Sequence, residues 1–304
     1  MCEARTVEDA LREGTREGTR EAEGMPSTSR DSSPETKSRK RLQAELKVAM
    51  RAKRSSSVSS ALNSLGTEKK QGLSTSEIYR VVLRADSCPH LSRWLTEDET
   101  EGITWDFETY YRASETYVCT DQMLLPEALA FLEDDLDKDT ETIVAIDLEW
   151  KPDRHKSHNN PVALIQLATT TRCVLIRTVD WDTSGAEGLP QPLYDFFSSS
   201  ENRFFVGFSW DSGDEKKFQS SFGVGKSVFS NFCDLQELAQ VLGYGKKSGL
   251  AWLTREVVGA ELPKTASRSN WARVELTAEQ IQYGALDAFS LHAVLHGWRK
   301  MNAS

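Results

Sequence analysis

Two carboxylates separated by one residue, Asp147 and Glu149, stand at the end of a short apolar run at 143–146. The run is rich in β-branched residues and predicts a strand buried on both faces, although periodicity alone does not exclude a helix. In a strand, residues i and i+2 point to the same side, so both acids would face one place. Two like charges about 4 Å apart repel by roughly 4 kcal/mol at an effective dielectric near 20. Either a cation neutralises the pair or the two acids splay into water.

Three further side chains able to do chemistry stand far along the chain. Asp214 follows an apolar run at 204–207 and opens the next predicted helix. Tyr283 and Asp287 lie four residues apart in the last predicted helix, so the phenol and the carboxylate share one helix face. The apolar stripe of that helix turns the same face toward a sheet, where an isolated carboxylate is costly to bury. A bound cation would remove that cost.

The elements that must position these groups predict an α/β domain over 115–302. Strands are predicted at 116–119, 143–149, 161–168, 173–177, 204–207 and 232–234. Helices are predicted from about 126, at 192–197, 213–222, 235–242, 249–258 and 277–300. Because only 169–172 separate the third and fourth strands, these two should pair as an antiparallel hairpin. A hairpin followed by alternating strands and helices indicates a mixed sheet flanked by helices, with a site where the carboxyl ends of the strands meet.

Four segments keep the order and approximate spacing of the motifs of a known family. They are Asp147-Leu-Glu149-Trp150, Asn160-Pro-Val-Ala-Leu-Ile-Gln-Leu-Ala168, Val206-Gly207…Gly213-Asp214-x-x-Lys217-Phe218, and Ser269-Asn-Trp271…Leu276-Thr-x-x-Gln280-x-x-Tyr283-x-x-x-Asp287-Ala288. Together they resemble the Werner-type 3′–5′ exonuclease domain, a DEDDy member of the DnaQ-like, ribonuclease H-like superfamily. The resemblance covers nearly all of 115–302 and implies a ribonuclease H-like mixed β-sheet flanked by helices.

The resemblance also implies a role for each of the five polar residues. Asp147, Glu149 and Asp287 would bind one divalent ion. Asp147 would also reach a second ion, on which Asp214 would hold a water. Tyr283, together with Glu149, would orient the attacking water, since a phenol with an ordinary pKa near 10 is a better positioning group than a base. Carboxylate ligands suit Mg²⁺ or Mn²⁺, and two ions roughly 4 Å apart suit in-line phosphoryl displacement.

The function expected from the resemblance is a metal-dependent 3′–5′ exonuclease that releases nucleoside monophosphates from single-stranded DNA or RNA ends. Its activity should rise with pH and require added metal. One alternative is a catalytically silent exonuclease-like module that binds nucleic acid or a partner protein. Another is a hydrolase of small phosphate compounds or very short oligoribonucleotides.

Several assignments near the motifs have competing interpretations. Asp211 could be mistaken for the motif acid, but Asp214 is preferred because Phe218, four residues later, supplies an apolar helix contact. Trp150 could stack on a terminal base, although packing at the rim or in the core is favoured. Lys217 could contact phosphate or lie on a solvated surface.

The histidines give weaker indications. His292 and His296 share a helix face, but no third zinc ligand is evident. His155 and His158 lie in a polar loop at 151–160, which could border the substrate entrance or be an ordinary surface loop.

Residues 1–72 predict a disordered basic leader and linker, because they contain too few apolar residues to offset the entropy of ordering. The stretch 37–54 carries eight basic residues and one acid, in two clusters at 39–41 and 51–54. It could be a nuclear-import signal read by an import receptor, an arm that touches nucleic acid, or a solvated basic helix. Residues 73–114 are expected to form a helical arm packed on the main domain.

Composition bounds the class of protein. Residues 73–304 carry 22 Lys and Arg against 35 Asp and Glu, a net charge of −13, which does not favour broad non-specific binding to nucleic acid. The five cysteines are scattered and odd in number, which indicates reduced thiols in an intracellular protein, nuclear if the basic clusters are an import signal. No apolar run is long enough to cross a bilayer, so no membrane partner is expected.

Overall fold

The computed structural model describes residues 73–83, 114–136, 142–155, 157–179, 181, 188–198, 202–245, 249–263 and 265–303. The leader predicted at 1–72, with its basic clusters, lies outside these residues, as does most of the arm predicted at 73–114. No helix in the described ranges is long and apolar enough to cross a membrane.

Six strands form one mixed sheet in the order β1-β4-β3-β2-β5-β6. They are β1 (Glu115–Cys119), β2 (Thr142–Trp150), β3 (Val162–Ala168), β4 (Arg172–Arg177), β5 (Arg203–Gly207) and β6 (Phe232–Asp234). β3 pairs antiparallel with both β2 and β4, which confirms the predicted hairpin, and the remaining neighbours pair in parallel. The expected mixed sheet is therefore confirmed.

Seven α-helices lie in the described residues and cover both faces of the sheet. They are α1 (Thr75–Val82), α2 (Leu125–Glu133), α3 (Gln191–Ser198), α4 (Asp214–Phe222), α5 (Leu235–Val241), α6 (Leu250–Val257) and α7 (Ala278–Ala303). One face packs against α1, α5, α6 and α7, and the other packs against α2, α3 and α4. The order of elements matches the order predicted from the sequence, with ends that differ by one to three residues.

The central position of β2 explains its continuous apolar run. Val144 and Ile146 lie in the core on the α2–α4 side, whereas Ile143 and Ala145 lie in the core on the α7 side. Because side chains alternate along a strand, a residue two positions after Ala145 faces α7. The end of this strand therefore presents its polar side chains to the long C-terminal helix.

The helix α1 is the described part of the predicted arm. A capping box opens it, because Ser74 Oγ accepts from the Glu77 N–H and Glu77 Oε2 accepts from the Ser74 N–H. At its other end the Val82 carbonyl accepts a 2.7 Å hydrogen bond from Arg299 Nε, near the end of α7. Val82 itself is fully buried, so α1 completes the core on the α7 side of the sheet.

Candidate active site

Three carboxylates from two elements meet at the end of β2. One oxygen from each of Asp147, Glu149 and Asp287 lies within 4.8 Å of the others, and Asp287 is only 6% exposed. The two strand acids point to the same face, as their i, i+2 spacing predicted, and α7 packs across β2 on that face. Residues 140 positions apart in the chain are thus brought to one place.

A second capping box starts α7 and fixes where it begins. Gln280 N–H donates to Thr277 Oγ1 at 3.2 Å, and the Thr277 N–H donates to Gln280 Oε1 at 3.1 Å. The same Gln280 side chain donates to Ser269 Oγ and the Asn270 carbonyl. The Ser-Asn-Trp motif is therefore a structural brace for this end of the helix.

Tyr283 lies on the face of α7 that carries Asp287, and its hydroxyl hydrogen-bonds to that carboxylate. The ring stands 6.0 Å from the ring of Trp271, which is fully buried. Burial and the nearby acids Asp287 and Glu149 raise the pKa of the phenol above its ordinary value. The hydroxyl is therefore a hydrogen-bond donor and not a base.

The two aspartates that follow β5 have different surroundings, which distinguishes the motif acid from its neighbour. Asp211 is exposed and forms an ion pair with Lys226, with 2.8 Å between Oδ1 and Nζ. Asp214, by contrast, is close enough to Asp147 for the two charges to interact, and burial and that charge raise its pKa to about 8. Phe218 is buried four residues later, as the preference for Asp214 required.

Asp234 is a supporting residue that the sequence reasoning missed. Its Oδ1 accepts from the Ser209 N–H at 2.9 Å and the Gln236 N–H at 2.8 Å, and its Oδ2 accepts from the Trp210 N–H at 2.8 Å. Ser209 alone among the described non-glycine residues has a positive φ, 56°. Asp234 thus holds a strained turn five residues before Asp214. Only the contact across the sheet reveals this role, because the sequence predicts Asp234 simply as the last residue of a short strand at 232–234.

Gln166 is a second residue whose position was not anticipated. It pairs with Asp147 across β2 and β3, and its side chain is fully buried. Neither its amide nitrogen nor its amide oxygen has a hydrogen-bond partner in the described structure, which costs about 1–3 kcal/mol for each such buried group. A single polar residue within the apolar stretch 162–168 was the signal available in the sequence.

Burial dominates the electrostatics of the cluster. It raises the pKa of Asp147 to about 7 and, with the charges of Asp147, Asp287 and Asp214, that of Glu149 to about 10. Burial and the charge of Asp147 also raise the pKa of Asp287, against the hydrogen bond from Tyr283. Carboxyls placed this way hold protons at neutral pH unless a cation replaces them. A set of oxygen ligands with this spacing fits a hard divalent cation.

The two residues considered for substrate contact have different surroundings. Lys217 is 7% exposed, and its ammonium donates to Asp153 Oδ2, Asn159 Oδ1 and the Asn160 carbonyl at 2.7–3.0 Å. Its three donors are therefore used within the protein, so the solvated-surface alternative is wrong, whereas the phosphate contact stays a prediction. Trp150 is partly buried, with its ring 5.3 Å from Lys217 Nζ, which matches the favoured packing interpretation.

The histidines do not form a metal site within the described residues, whose one cluster with suitable geometry is the carboxylate set. His292 is fully buried and donates from Nε2 to the Ala168 carbonyl at 2.9 Å. Burial lowers the pKa of His292 and of His296 to about 4, so both are neutral near pH 7.

The chain is similar to known exonucleases. A family model described as 3′–5′ exonuclease matches residues 122–301. A curated 3′–5′ exonuclease of Arabidopsis thaliana is 33% identical over 149 residues, which is 48% of this chain and 49% of that protein. Ribonuclease D of Haemophilus influenzae is 38% identical over 63 residues, covering 21% of this chain and 16% of that one. The chain thus spans about half or less of the length of these curated relatives.

Solved structures also match. The crystal structure of the Nibbler EXO domain of Aedes aegypti is 24% identical with a TM-score of 0.48, and the match covers 61% of this chain and 88% of that one. The crystal structure of Escherichia coli RNase D is 22% identical with a TM-score of 0.48, and the match covers 62% of this chain and 45% of that one.

Proposed function

The chain belongs to the 3′–5′ exonuclease family, and from that premise we propose that residues 115–302 are a DEDDy-type domain that removes nucleoside monophosphates from single-stranded 3′ ends. This proposal is supported above all by the carboxylate oxygens of Asp147, Glu149 and Asp287, which lie within 4.8 Å of one another. The Tyr283 hydroxyl hydrogen-bonds to the Asp287 carboxylate. A fold retained only for binding would gain nothing from burying three acids together, because their mutual repulsion destabilises it.

Asp147, Glu149 and Asp287 would hold one divalent cation, Mg²⁺ or Mn²⁺, and Asp147 would reach a second, on which Asp214 would hold a water. Such cations supply Lewis-acid polarisation of the scissile phosphate and lower the pKa of a bound water. The chain supplies the positions of the ligands: β2 sets the spacing of its two acids, and α7 brings Asp287 to them.

Tyr283 and Glu149 would orient the water that attacks the terminal phosphodiester. The phenol stays protonated because burial and the neighbouring acids raise its pKa, so it can donate a hydrogen bond throughout the reaction. Asp287 accepts from the hydroxyl and so limits where that hydroxyl can point. Positioning of this kind contributes by holding the reacting atoms in the geometry of attack.

The test is degradation of end-labelled single strands, matched in sequence as DNA and RNA, with and without Mg²⁺ or Mn²⁺. We expect a ladder from the 3′ end that requires metal, and its loss in Asp147→Ala/Glu149→Ala. Asp211→Ala is the matched control, since this nearby acid is exposed and pairs with Lys226 outside the cluster. Binding without cleavage by the native chain, or full cleavage by the double variant, would overturn the proposal.

A further inference from the structure

The loop at 151–160 connects β2 to β3. It begins directly after Trp150, the last residue of the strand that carries Asp147 and Glu149. All of its described residues from 151 to 159 are exposed, among them Lys151, Arg154, His155 and His158. The two histidine rings meet edge to face at 5.0 Å. Lys151 is two residues beyond Glu149, or roughly 7 Å at the rise of a strand. The loop therefore begins at the rim of the site.

A buried cation holds this loop in place. Lys217 Nζ lies 2.7 Å from Asp153 Oδ2, with the lysine side chain 8% exposed and the aspartate side chain 28% exposed. Asn160 adds a clamp, because its Nδ2 donates to the Lys151 carbonyl at 2.9 Å and its N–H donates to Asp153 Oδ1 at 2.8 Å. Lys217 is three residues after Asp214 on α4, so the anchor of the loop lies within one helical turn of Asp214.

The same contacts decide the charge that the loop presents. Asp153 is the one acid between 151 and 160, and Lys217 neutralises it from inside the protein. Lys151 and Arg154 have no ion-pair partner among the described residues. The loop is thus a positive surface on a body with a net charge of −13 over 73–304.

We propose that the loop at 151–160 contacts phosphates of the strand upstream of its 3′ end, with Lys151 and Arg154 as the cations and Lys217 as the positioning residue. This inference rests on the proposed function. The ligand is the sugar–phosphate backbone of single-stranded nucleic acid, because point charges on a loop recognise phosphate without reading a base. Substrates of several nucleotides should bind more tightly than dinucleotides, which carry fewer phosphates for the loop to contact.

The test measures how tightly the full chain binds a fluorescent 12-nucleotide strand, with Asp147→Asn introduced to prevent cleavage. The salt concentration is varied from about 50 to 200 mM, the range over which phosphate contacts weaken strongly. Lys151→Glu/Arg154→Glu should weaken binding about tenfold or more and reduce the salt slope by about 1.4, the value for two phosphate contacts on a single strand. Arg255→Glu/Lys300→Glu is the matched control. Lys300 is thirteen residues beyond Asp287, about 20 Å along the helix.

Lys217→Met tests the anchor separately, because it removes no exposed cation. Lys217→Met should weaken binding of the 12-nucleotide strand. Lys216→Met, a change at the exposed neighbouring lysine, should leave that affinity unchanged. With the intact site, Lys151→Glu/Arg154→Glu should raise KM for the 12-nucleotide strand and leave kcat for a dinucleotide unchanged.

The outcomes separate this inference from the proposed function. A native chain that degrades the strand, together with a loop variant that keeps the affinity and salt slope of the control, overturns the inference alone. A native chain that neither binds nor degrades the strand overturns both.

Discussion

Asp147, Glu149 and Asp287 are buried close together, so whether each carries a charge decides how the site behaves. Burial raises the pKa of all three, and the charges of Asp147 and Asp287 raise that of Glu149 further. Each carboxyl is thus stabilised when neutral or when bound to a cation. The same group of atoms therefore couples protonation, metal binding and the stability of the fold.

The metal-free chain should become less stable as pH rises. The unfolded carboxyls lose protons near pH 4, whereas folded Asp147, Asp214 and Glu149 have pKa values of about 7, 8 and 10. Stability contributed by the protonated groups is therefore full below about pH 4 and is lost as the pH rises through the folded values. Thermal unfolding in chelator should show Tm falling between about pH 5 and 9. Added Mg²⁺ or Mn²⁺ should raise Tm more at the higher pH than at the lower pH.

Glu149→Gln is the control for this pH dependence, because it removes the carboxyl whose pKa is raised furthest among those with a stated value. Its metal-free Tm should fall less over the same range. A native Tm that is flat or rising with pH in chelator would contradict the assignment of these raised pKa values.

Tyr283→Phe should lower kcat roughly 10- to 100-fold with little change in KM, because the loss is one of positioning. The ring would still pack against Trp271, so the variant should fold and unfold as the native chain does. Steady-state degradation of a labelled strand measures the effect, and Tyr194→Phe is the control because Tyr194 is 43% exposed. An unchanged kcat in Tyr283→Phe would exclude a role for this hydroxyl in the reaction.

At the scale of elements, α7 reaches the sheet and its neighbouring helix through two glycines with different surroundings. A Cβ on Gly284 would stand 3.4 Å from Leu164 Cδ2 and 3.5 Å from Leu175 Cδ2, which is ordinary contact. A Cβ on Gly297 would stand 2.5 Å from Val257 Cγ1 and 3.3 Å from the Val257 carbonyl oxygen. At these two glycines, α7 thus approaches α6 more closely than it approaches the sheet beside the site.

These distances predict opposite signs for two identical substitutions in one helix. Gly284→Ala should raise the free energy of unfolding by up to about 1 kcal/mol, since alanine favours helix and its methyl group fits. Gly297→Ala should lower it by about 1–3 kcal/mol, because α6 must move to admit the methyl group. Urea unfolding of the full chain compares them directly. Equal destabilisation by both would mean that α7 packs as tightly on β3 and β4 as on α6.

At the scale of the whole molecule, α1 lies far from the site in sequence yet belongs to the same core. Tyr79 is 3% exposed, Val82 is fully buried, and Arg299 donates a hydrogen bond to the Val82 carbonyl. Burying each of these side chains contributes about 1.5–3 kcal/mol as an upper figure. We therefore propose that the folded unit begins near residue 73, although the exonuclease motifs begin near 115.

Two truncations test this boundary. The fragment 73–304 should unfold at the same temperature as the full chain, because the sequence of 1–72 has too few apolar residues to be expected in a core. The fragment 115–304 should unfold at a lower temperature, since it exposes the surface that α1 covers. Calorimetry or circular dichroism gives both values. Equal stability of 115–304 and the full chain would place the boundary after α1.

Local patterns were sufficient for much of the fold. The order of strands and helices and the hairpin of β3 and β4 follow from spacing, because each depends on residues a few positions apart. Spacing also put Asp147 beside Glu149 and Tyr283 beside Asp287. The resemblance to a 3′–5′ exonuclease linked the two pairs before any geometry was known, and the family match over 122–301 confirms that family.

The tertiary structure decided what depends on contacts between distant parts of the chain. The sequence left Lys217 as either a phosphate contact or a solvated lysine, and only the packing of the 151–160 loop on α4 shows that its ammonium is buried. The sequence predicts Asp234 as the end of a short strand, and only the parallel pairing of β5 and β6 brings its carboxylate to Ser209. The sequence by itself determined which residue types share a face. Distances, burial and hence charge state arise when separate faces meet, and no local pattern contains that information.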